Sequence, residues 1–287
     1  MTTRPTEAAV GGELGELLRY WRGTRGKSQI ELSLDTGVSQ RHLSFIESGR
    51  SAPSRQTLMN IAQGLEVPFR DRNRLLLAAG FAPIYGEDAW NADEMKSVNA
   101  ALERVLRQHE PFPAVVMDRY WNVLMTNASA PRFFNMFIDL EARPKPRNLL
   151  HLMFDPAGLR PFIAHWDRTA KSLIQRVHRE SVGQVIDERT RDLLTTLVAY
   201  PDVEDVLKPA DAAIPEPTLP MIPLSFVRDG RTLNYFSMVT TVGTPQTIAT
   251  QELRIECMYP ADDRTDAQHR ELMAGAKKPP GKGVRGN

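Results

Sequence analysis

The chain has 287 residues, 41% hydrophobic and 25% charged. That composition excludes a disordered or fibrous protein, and the length favours two domains over one. No apolar run approaches the ~18 residues of a membrane helix, the opening MTTRPTEAAVGGELG lacks a signal-peptide core, and the single cysteine, Cys257, rules out an internal disulfide framework, all of which fits the cytoplasm.

The net charge of +1 conceals a split. Residues 1–82 hold 11 Lys/Arg against 8 Asp/Glu, residues 83–262 hold 19 against 24, and residues 263–287 hold 6 against 3. A basic head on an acidic body accompanies nucleic-acid modules joined to something else. In chain order, residues 1–12 read as disordered and residues 13–82 as five short helices. Leu14, Leu17, Leu18 and Trp21 set the first helix, Ser28 caps the second, Ser39 caps a third from Gln40 to Ser48, and Gly49 ends it. Pro53-Ser54 and Pro68 open the last two.

Residues 83–93 read as a linker, followed by a helix from Asp93 to His109. Pro113–Met117 and Trp121–Thr126 form an expected hairpin, then Ala128–Phe137 is helix-like. A long helix is expected after an Asp155 cap, with Leu159, Ile163, Leu173, Ile174 and Val177 on its apolar stripe, and a shorter one from Glu188 to Ala199. Three strands close the domain at Ile222–Arg228, Leu233–Val242 and Gln251–Tyr259, with Asp229-Gly230 as a hairpin turn. Residues 263–287 read as a basic disordered tail. The fold class is therefore an all-α N-terminal domain followed by an α+β domain over residues 94–262.

Gln29 to Ser48 has the layout of a helix-turn-helix. Leu32 must pack on Leu43 and Ile46, Ser33 is small enough for close approach, Gly37 takes a left-handed turn and Val38 plugs the corner. The string VSQRHLSFIESGRSAPSRQTLMNIAQGLEV resembles the Cro-repressor-like (XRE-type) helix-turn-helix family over roughly residues 13–80. That resemblance implies a DNA-binding transcription regulator. Gln40, Arg41, Ser44 and Phe45 then point into the major groove, with Arg41 suited to guanine and Gln40 to adenine. Phe45 has two readings, a thymine-methyl contact or packing on a neighbouring helix. Gln29, Ser39 and Arg50 are placed for phosphates. One module grips little DNA, so a homodimer on double-stranded DNA is expected.

The second domain holds no catalytic constellation. The segment from Gly275 to Lys282 has the wrong spacing for a phosphate loop, and His165 and His178 are not spaced as a metal pair. Neither an enzymatic activity nor a metal or cofactor is expected. HEPFPAVVMDRYWNVLMTNASA, HLMFDPAGLRPFIAHWDRTAK and the strand before Pro260 are similar to the C-terminal domain of MmyB-like transcription regulators. The resemblance implies a PAS-like fold whose internal pocket takes a small apolar, fatty-acid-like ligand. Trp121, Met125, Phe134, Phe137 and Met153, together with Phe162, Trp166, Phe236 and Met238, are candidates to line it or to be plain core. Asn127, Arg160, His165 and Arg168 are candidates for a carboxylate head. The alternatives are a ligand-free dimerisation domain and, disfavoured by the missing constellation, an enzyme with a fused DNA-binding head.

Overall fold

A computed structural model describes residues 7–86, 95–180, 187–208 and 222–275. They form two units, one of residues 7–86 with 243–252 and one of residues 95–180, 187–208, 222–242 and 253–275.

The first unit contains five helices, α1 (Glu7–Thr24), α2 (Gln29–Thr36), α3 (Gln40–Glu47), α4 (Arg55–Gly64) and α5 (Phe69–Ala78). Their boundaries follow the local chemistry. Ser28 and Glu31 close a capping box on α2, and the Ser39 and Ser54 hydroxyls cap α3 and α4. Gly37 lies at φ 70°, in the left-handed region that lets α2 turn sharply into α3. Thr36, a polar residue at an apolar position, turns its hydroxyl to Leu32 O and receives Val38 N–H. Leu18, Leu32, Leu43, Ile46, Leu58 and Leu75 share one buried core.

Two expectations need correction here. Helix α1 begins at Glu7, inside the stretch expected to be disordered; residues 1–6 lie outside the described residues. The expected linker is in part docked structure. Asn73 on α5 accepts the N–H groups of Ile84 and Tyr85 and donates to Tyr85 O, while Tyr85 stacks on Phe69 at 4.2 Å. Residues 87–93 lie outside the described residues.

The second unit begins with α6 (Lys96–Gln108), strands β1 (Ala114–Met117) and β2 (Val123–Thr126), α7 (Ser129–Phe134) and α8 (Leu149–Phe154). A 3-10 turn at Arg160–Phe162 leads into α9 (Trp166–Glu180), α10 (Glu188–Val198) and α11 (Val203–Leu207), then β3 (Pro223–Arg228) and β4 (Arg231–Thr240). Asp229 and Gly230 both take positive φ in the β3–β4 turn, as a two-residue hairpin demands. The chain then supplies α12 (Ile248–Glu252) to the first unit before returning as β5 (Arg254–Pro260) and α13 (Asp263–Gly275). The antiparallel sheet runs β2-β1-β5-β4-β3. Its inner core centres on Phe133, whose ring meets Phe137, Phe226, Tyr235 and His269. This is the α+β, PAS-like arrangement expected of the second domain.

The long helix expected after Asp155 is broken. Asp155 instead ends α8, Gly158 sits where a Cβ would meet Leu152 O at 2.4 Å, and Pro161 cannot continue a helix. The stripe residues Leu159 and Ile163 are buried nonetheless, on a turn and a bridge to Phe226. Gln251 and Glu252 close a helix rather than open a strand.

The expected disordered tail is helical as far as Gly275, because Thr265, His269 and Met273 recur every four residues and are buried. Burial pushes the His269 imidazole below its usual value, so it stays neutral. Its Nε2 donates to Pro111 O at 2.9 Å and its Nδ1 receives the Tyr235 hydroxyl at 2.7 Å. Residues 276–287, where most of the phosphate-loop-like stretch falls, lie outside the described residues.

Gly15 lets α1 approach the end of α3 closely, since a Cβ there would clash with the Glu47 carbonyl oxygen. Gly15→Ala is therefore expected to destabilise the first unit by ~1–3 kcal/mol through overpacking against backbone. Gly12→Ala, with open space around it, should instead gain a few tenths of a kcal/mol from helix propensity. Urea denaturation of both variants checks the pair, and equal stability of the two would overturn the packing argument.

Candidate DNA-reading helix and ligand cavity

Helix α3 is amphipathic in the sense a reading helix requires. Leu43 and Ile46 are each 1% exposed and hold the helix to the core, while Gln40 and Arg41 are exposed and Ser44 and Phe45 half-buried. Phe45 packs beneath two cations, with the Arg41 guanidinium 5.4 Å and the Arg50 guanidinium 5.1 Å from its ring centroid. The ring serves as a platform for arginines at the surface, a role neither sequence reading of Phe45 named. Arg50 Nε also donates to Ser48 Oγ at 2.9 Å.

The last residue of α3, Glu47, anchors it. Arg22 on α1 bonds both carboxylate oxygens, Nε to Oε1 at 2.7 Å and Nη2 to Oε2 at 3.0 Å, and Gln29 Nε2 adds 2.9 Å to Oε2. Arg19 bonds the Glu47 carbonyl at 2.8 Å. Burial alone would raise the Glu47 carboxyl, but the bonds from Arg22 and Gln29 and the charges of Arg22 and Arg19 outweigh it and hold it below the usual carboxylate range. Gln29 thus differs from expectation. The side-chain donor assigned to a phosphate points inward to a buried carboxylate, a demand invisible in local sequence.

The second unit encloses a narrow apolar cavity in which the centre of a water molecule has about 30 Å³ of room. Its floor is one face of the sheet, through Val115, Ser237, Glu256 and Met258, and its far wall includes Trp121, Phe134, Met153 and Leu173. Trp121 is held at φ 68° in the β1–β2 turn, a left-handed conformation that costs a non-glycine residue ~1–3 kcal/mol. Asp118 fixes that turn by accepting Tyr120 N–H and Asn122 N–H. Over the Trp121 ring, at 4.6 Å, lies the Arg176 guanidinium, whose Nη1 bonds Glu256 Oε1 at 2.9 Å.

Of the sequence candidates, Trp121, Phe134 and Met153 line this cavity. Met125, Phe236 and Met238 lie on strand positions whose partners, Val116, Tyr259 and Cys257, share the opposite face of the sheet. Phe137 and Phe162 face a separate surface groove near Arg143, and Trp166 packs edge-on against Phe154. Among the head-group candidates, Asn127 is buried and spends its amide on Ala114 N, Ala130 N and Phe112 O. Arg160 bonds Pro201 O and Asp202, and His165 and Arg168 line a different, polar pocket with Ser225. The charged groups that do line the cavity, Arg176 and Glu256, escaped the sequence reading. Their signal was a charge beside the apolar stripe of α9 and another at an inward position of β5.

Residues 98–272 match the family model of the MmyB-like transcription regulator ligand binding domain, and residues 18–71 match a helix-turn-helix model. The HTH-type transcriptional regulator SlrR of Bacillus subtilis (strain 168) is 27% identical over 137 residues, covering 40% of this chain and 87% of that protein. A solved RNA-binding light-oxygen-voltage receptor aligns with 95% of this chain and 68% of its own at 12% identity, but a TM-score of 0.28 carries no argument about fold. No helix among the described residues is long and apolar enough to cross a membrane.

A carboxylate held below its usual range contributes stability above the unfolded value, and that contribution is lost as pH falls through the folded value. Glu47→Gln is expected to lower the stability of the first unit by ~3 kcal/mol near neutral pH, since Arg22 loses its buried anion. The gap between wild type and variant should begin to close as pH falls past the ordinary carboxylate value and vanish once it passes the lower value of the folded Glu47 carboxyl. Urea titrations of both proteins across acid pH check this, and a pH-independent gap would sink the assignment.

Proposed function

This chain belongs to the MmyB-like transcription regulator family, and from that premise we propose that the DNA-binding regulator reads its operator through Gln40, Arg41, Ser44 and Phe45 and senses a small apolar, fatty-acid-like ligand in the cavity of its second unit. The reading rests above all on the division of α3, with Leu43 and Ile46 committed to the core and Gln40 and Arg41 left outward. Arg41 is steadied by the Phe45 face, so it meets a guanine edge with less rotamer freedom to lose. Ser39 and Arg50 contact phosphates, and Gln29 contributes its place at the N-terminus of α2, where backbone N–H groups favour an anion.

The protein acts as a homodimer in the cytoplasm, on half-sites about one helical turn apart. Neither a metal nor a catalytic step is part of this reading. Ligand occupancy alters which dimer geometry is populated, and it does so only to the extent that the ligand prefers one state. The connection between β4 and β5 supports such coupling. Residues 243–252 belong to the first unit, where Arg70 bonds both Glu252 oxygens at 3.0 and 3.2 Å and Gln251 Oε1 receives Phe69 N–H at 2.9 Å. A second reading, a ligand-free dimerisation unit, is favoured by the narrowness of the cavity.

Two measurements test these statements. Arg41→Ala should cost ~1–3 kcal/mol of operator binding and relax preference at one base pair. Titration against single-base operator variants reads both that and the stoichiometry. A uniform loss would overturn base reading by Arg41, and one chain per operator would overturn the dimer. Denaturing the purified protein, extracting it with organic solvent and weighing the extract by mass spectrometry should recover an aliphatic compound near one per chain. An empty extract, with no stabilisation by added fatty acid, would favour the ligand-free reading.

A further inference from the structure

His165 and Arg168 take no part in the apolar cavity. With Thr169, Ser172, Pro223 and Ser225 they line a second pocket of the same unit, in which the centre of a water molecule has about 110 Å³ of room. Its wall forms where the chain bridges to β3 and then enters α9. Ala164 N–H bonds Ser225 O at 2.9 Å, His165 turns at φ 52°, and the first bonds of the helix run from Arg168 N and Thr169 N to His165 O. The N–H groups of Trp166 and Asp167 therefore stand outside the ladder, at the positive end of a 15-residue helix.

A helix terminus is a common feature, and what sets this one apart is Thr169. It is 5% exposed and lines the pocket, yet its hydroxyl has no hydrogen bond among the described residues. The usual acceptor for a helical threonine is the carbonyl one turn back. Here that carbonyl is His165 O, whose two lone pairs already take Arg168 N and Thr169 N. A buried hydroxyl left unmet is costly, so this one calls for a group in the pocket. Arg168 brings positive charge and several donors to the same wall. The carboxylate in that helical turn, Asp167, is exposed and does not line the pocket.

Ser225 decides which anion fits. Its Oγ donates to Asn234 Oδ1 at 2.7 Å, and Asn234 is held in that orientation by its Nδ2 bond to Asp262 at 3.3 Å. With its hydrogen spent, Ser225 meets a ligand as an acceptor. Sulfate carries no proton and sets a lone pair against it. Inorganic phosphate near neutral pH keeps one proton, which can go to Ser225 Oγ while the charged oxygens accept from Arg168, Thr169 and the helix N–H groups. A phosphate monoester has lost that proton above about pH 6, so the free ion is the better match.

We propose that this pocket is a second ligand site, independent of the apolar cavity, and that it binds inorganic phosphate, with Arg168 and Thr169 as donors and Ser225 as the acceptor that tells phosphate from sulfate. The test is calorimetric titration of the full-length protein at matched ionic strength and about pH 7.5 with phosphate, sulfate and glycerol 3-phosphate. Wild type should bind phosphate at least ~10-fold more tightly than either of the others. Arg168→Gln and Thr169→Val should each weaken phosphate by ~5-fold or more, and Ser225→Ala should bring the phosphate and sulfate affinities together. Absence of phosphate binding to wild type overturns the site. Sulfate bound as tightly as phosphate overturns the role of Ser225, and tighter glycerol 3-phosphate overturns the choice of the free ion. Phosphate affinity unchanged in Arg168→Gln puts the ion elsewhere, as at the DNA-reading surface, and overturns the assignment too. The wild-type ratios need no variant and Arg168 is exposed, so a Thr169→Val that fails to fold still leaves a decision.

Discussion

A carboxylate taken out of water must be met by a cation and by enough donors to satisfy both oxygens, or the structure that buries it pays several kcal/mol. Among the described residues, three glutamates face this demand. Glu47, Glu252 and Glu256 are 5%, 7% and 8% exposed, and each is paired with an arginine from another element. Arg22 reaches Glu47 through two nitrogens and Gln29 completes the shell, so α1, the start of α2 and the end of α3 are fixed together. Arg70 reaches Glu252 in the same two-pronged way and holds α12 to the first unit. A bidentate guanidinium fixes direction as well as distance, which is what a reading helix needs if its outward side chains are to keep register.

Glu256 breaks the pattern. Among the described residues one of its oxygens is met and the other is not, and its side chain helps line a cavity. Where both oxygens are bonded, the pair is structural and any added group would displace a bond already made. Glu252 and Glu256 are also close neighbours in the chain, one ending α12 and the other in β5. Strand β5, which carries Glu256, thus starts directly after a segment that belongs to the first unit.

The sequence disclosed what depends on near neighbours. Ser28, Gly37, Ser39 and the Leu32, Leu43 and Ile46 contacts lie within about twenty residues, and their caps, turn and apolar spacing can be read without knowing the rest of the fold. The inner face of the sheet was not legible in that way. Alternation along β4 separates Tyr235, Ser237 and Val239 from Phe236, Met238 and Thr240, but hydrophobicity nominates the wrong set. The polar tips of Tyr235 and Ser237 face inward, and Met238 is 52% exposed. Helix α13 was obscured by composition, because the Lys, Pro and Gly of residues 276–287 outweigh a four-residue period carried by only Thr265, His269 and Met273. Gln29, Arg176 and Glu256 were illegible for a common reason. Each owes its role to a partner at least eighteen residues away, and a polar residue's partner is not a local property.

The same reasoning bears on how occupancy of the cavity can matter at all. A ligand shifts an equilibrium only by the difference between its affinities for the two states. Shape alone gives a soft difference, since an aliphatic tail is worth nearly the same in any apolar slot of the right width. A single hydrogen bond to a buried polar atom is sharper, because it exists only when the wall presents that atom at the right distance and angle. At ~1–3 kcal/mol, such a bond changes a two-state ratio by roughly 5- to 150-fold. That range spans the coupling ordinarily found in regulated proteins. Trp121 adds to the contrast, for its left-handed backbone is strain that the Asp118 turn must hold while the ring supports Arg176. In such a cavity a polar contact, rather than apolar length, is what can convert ligand identity into a choice between conformations.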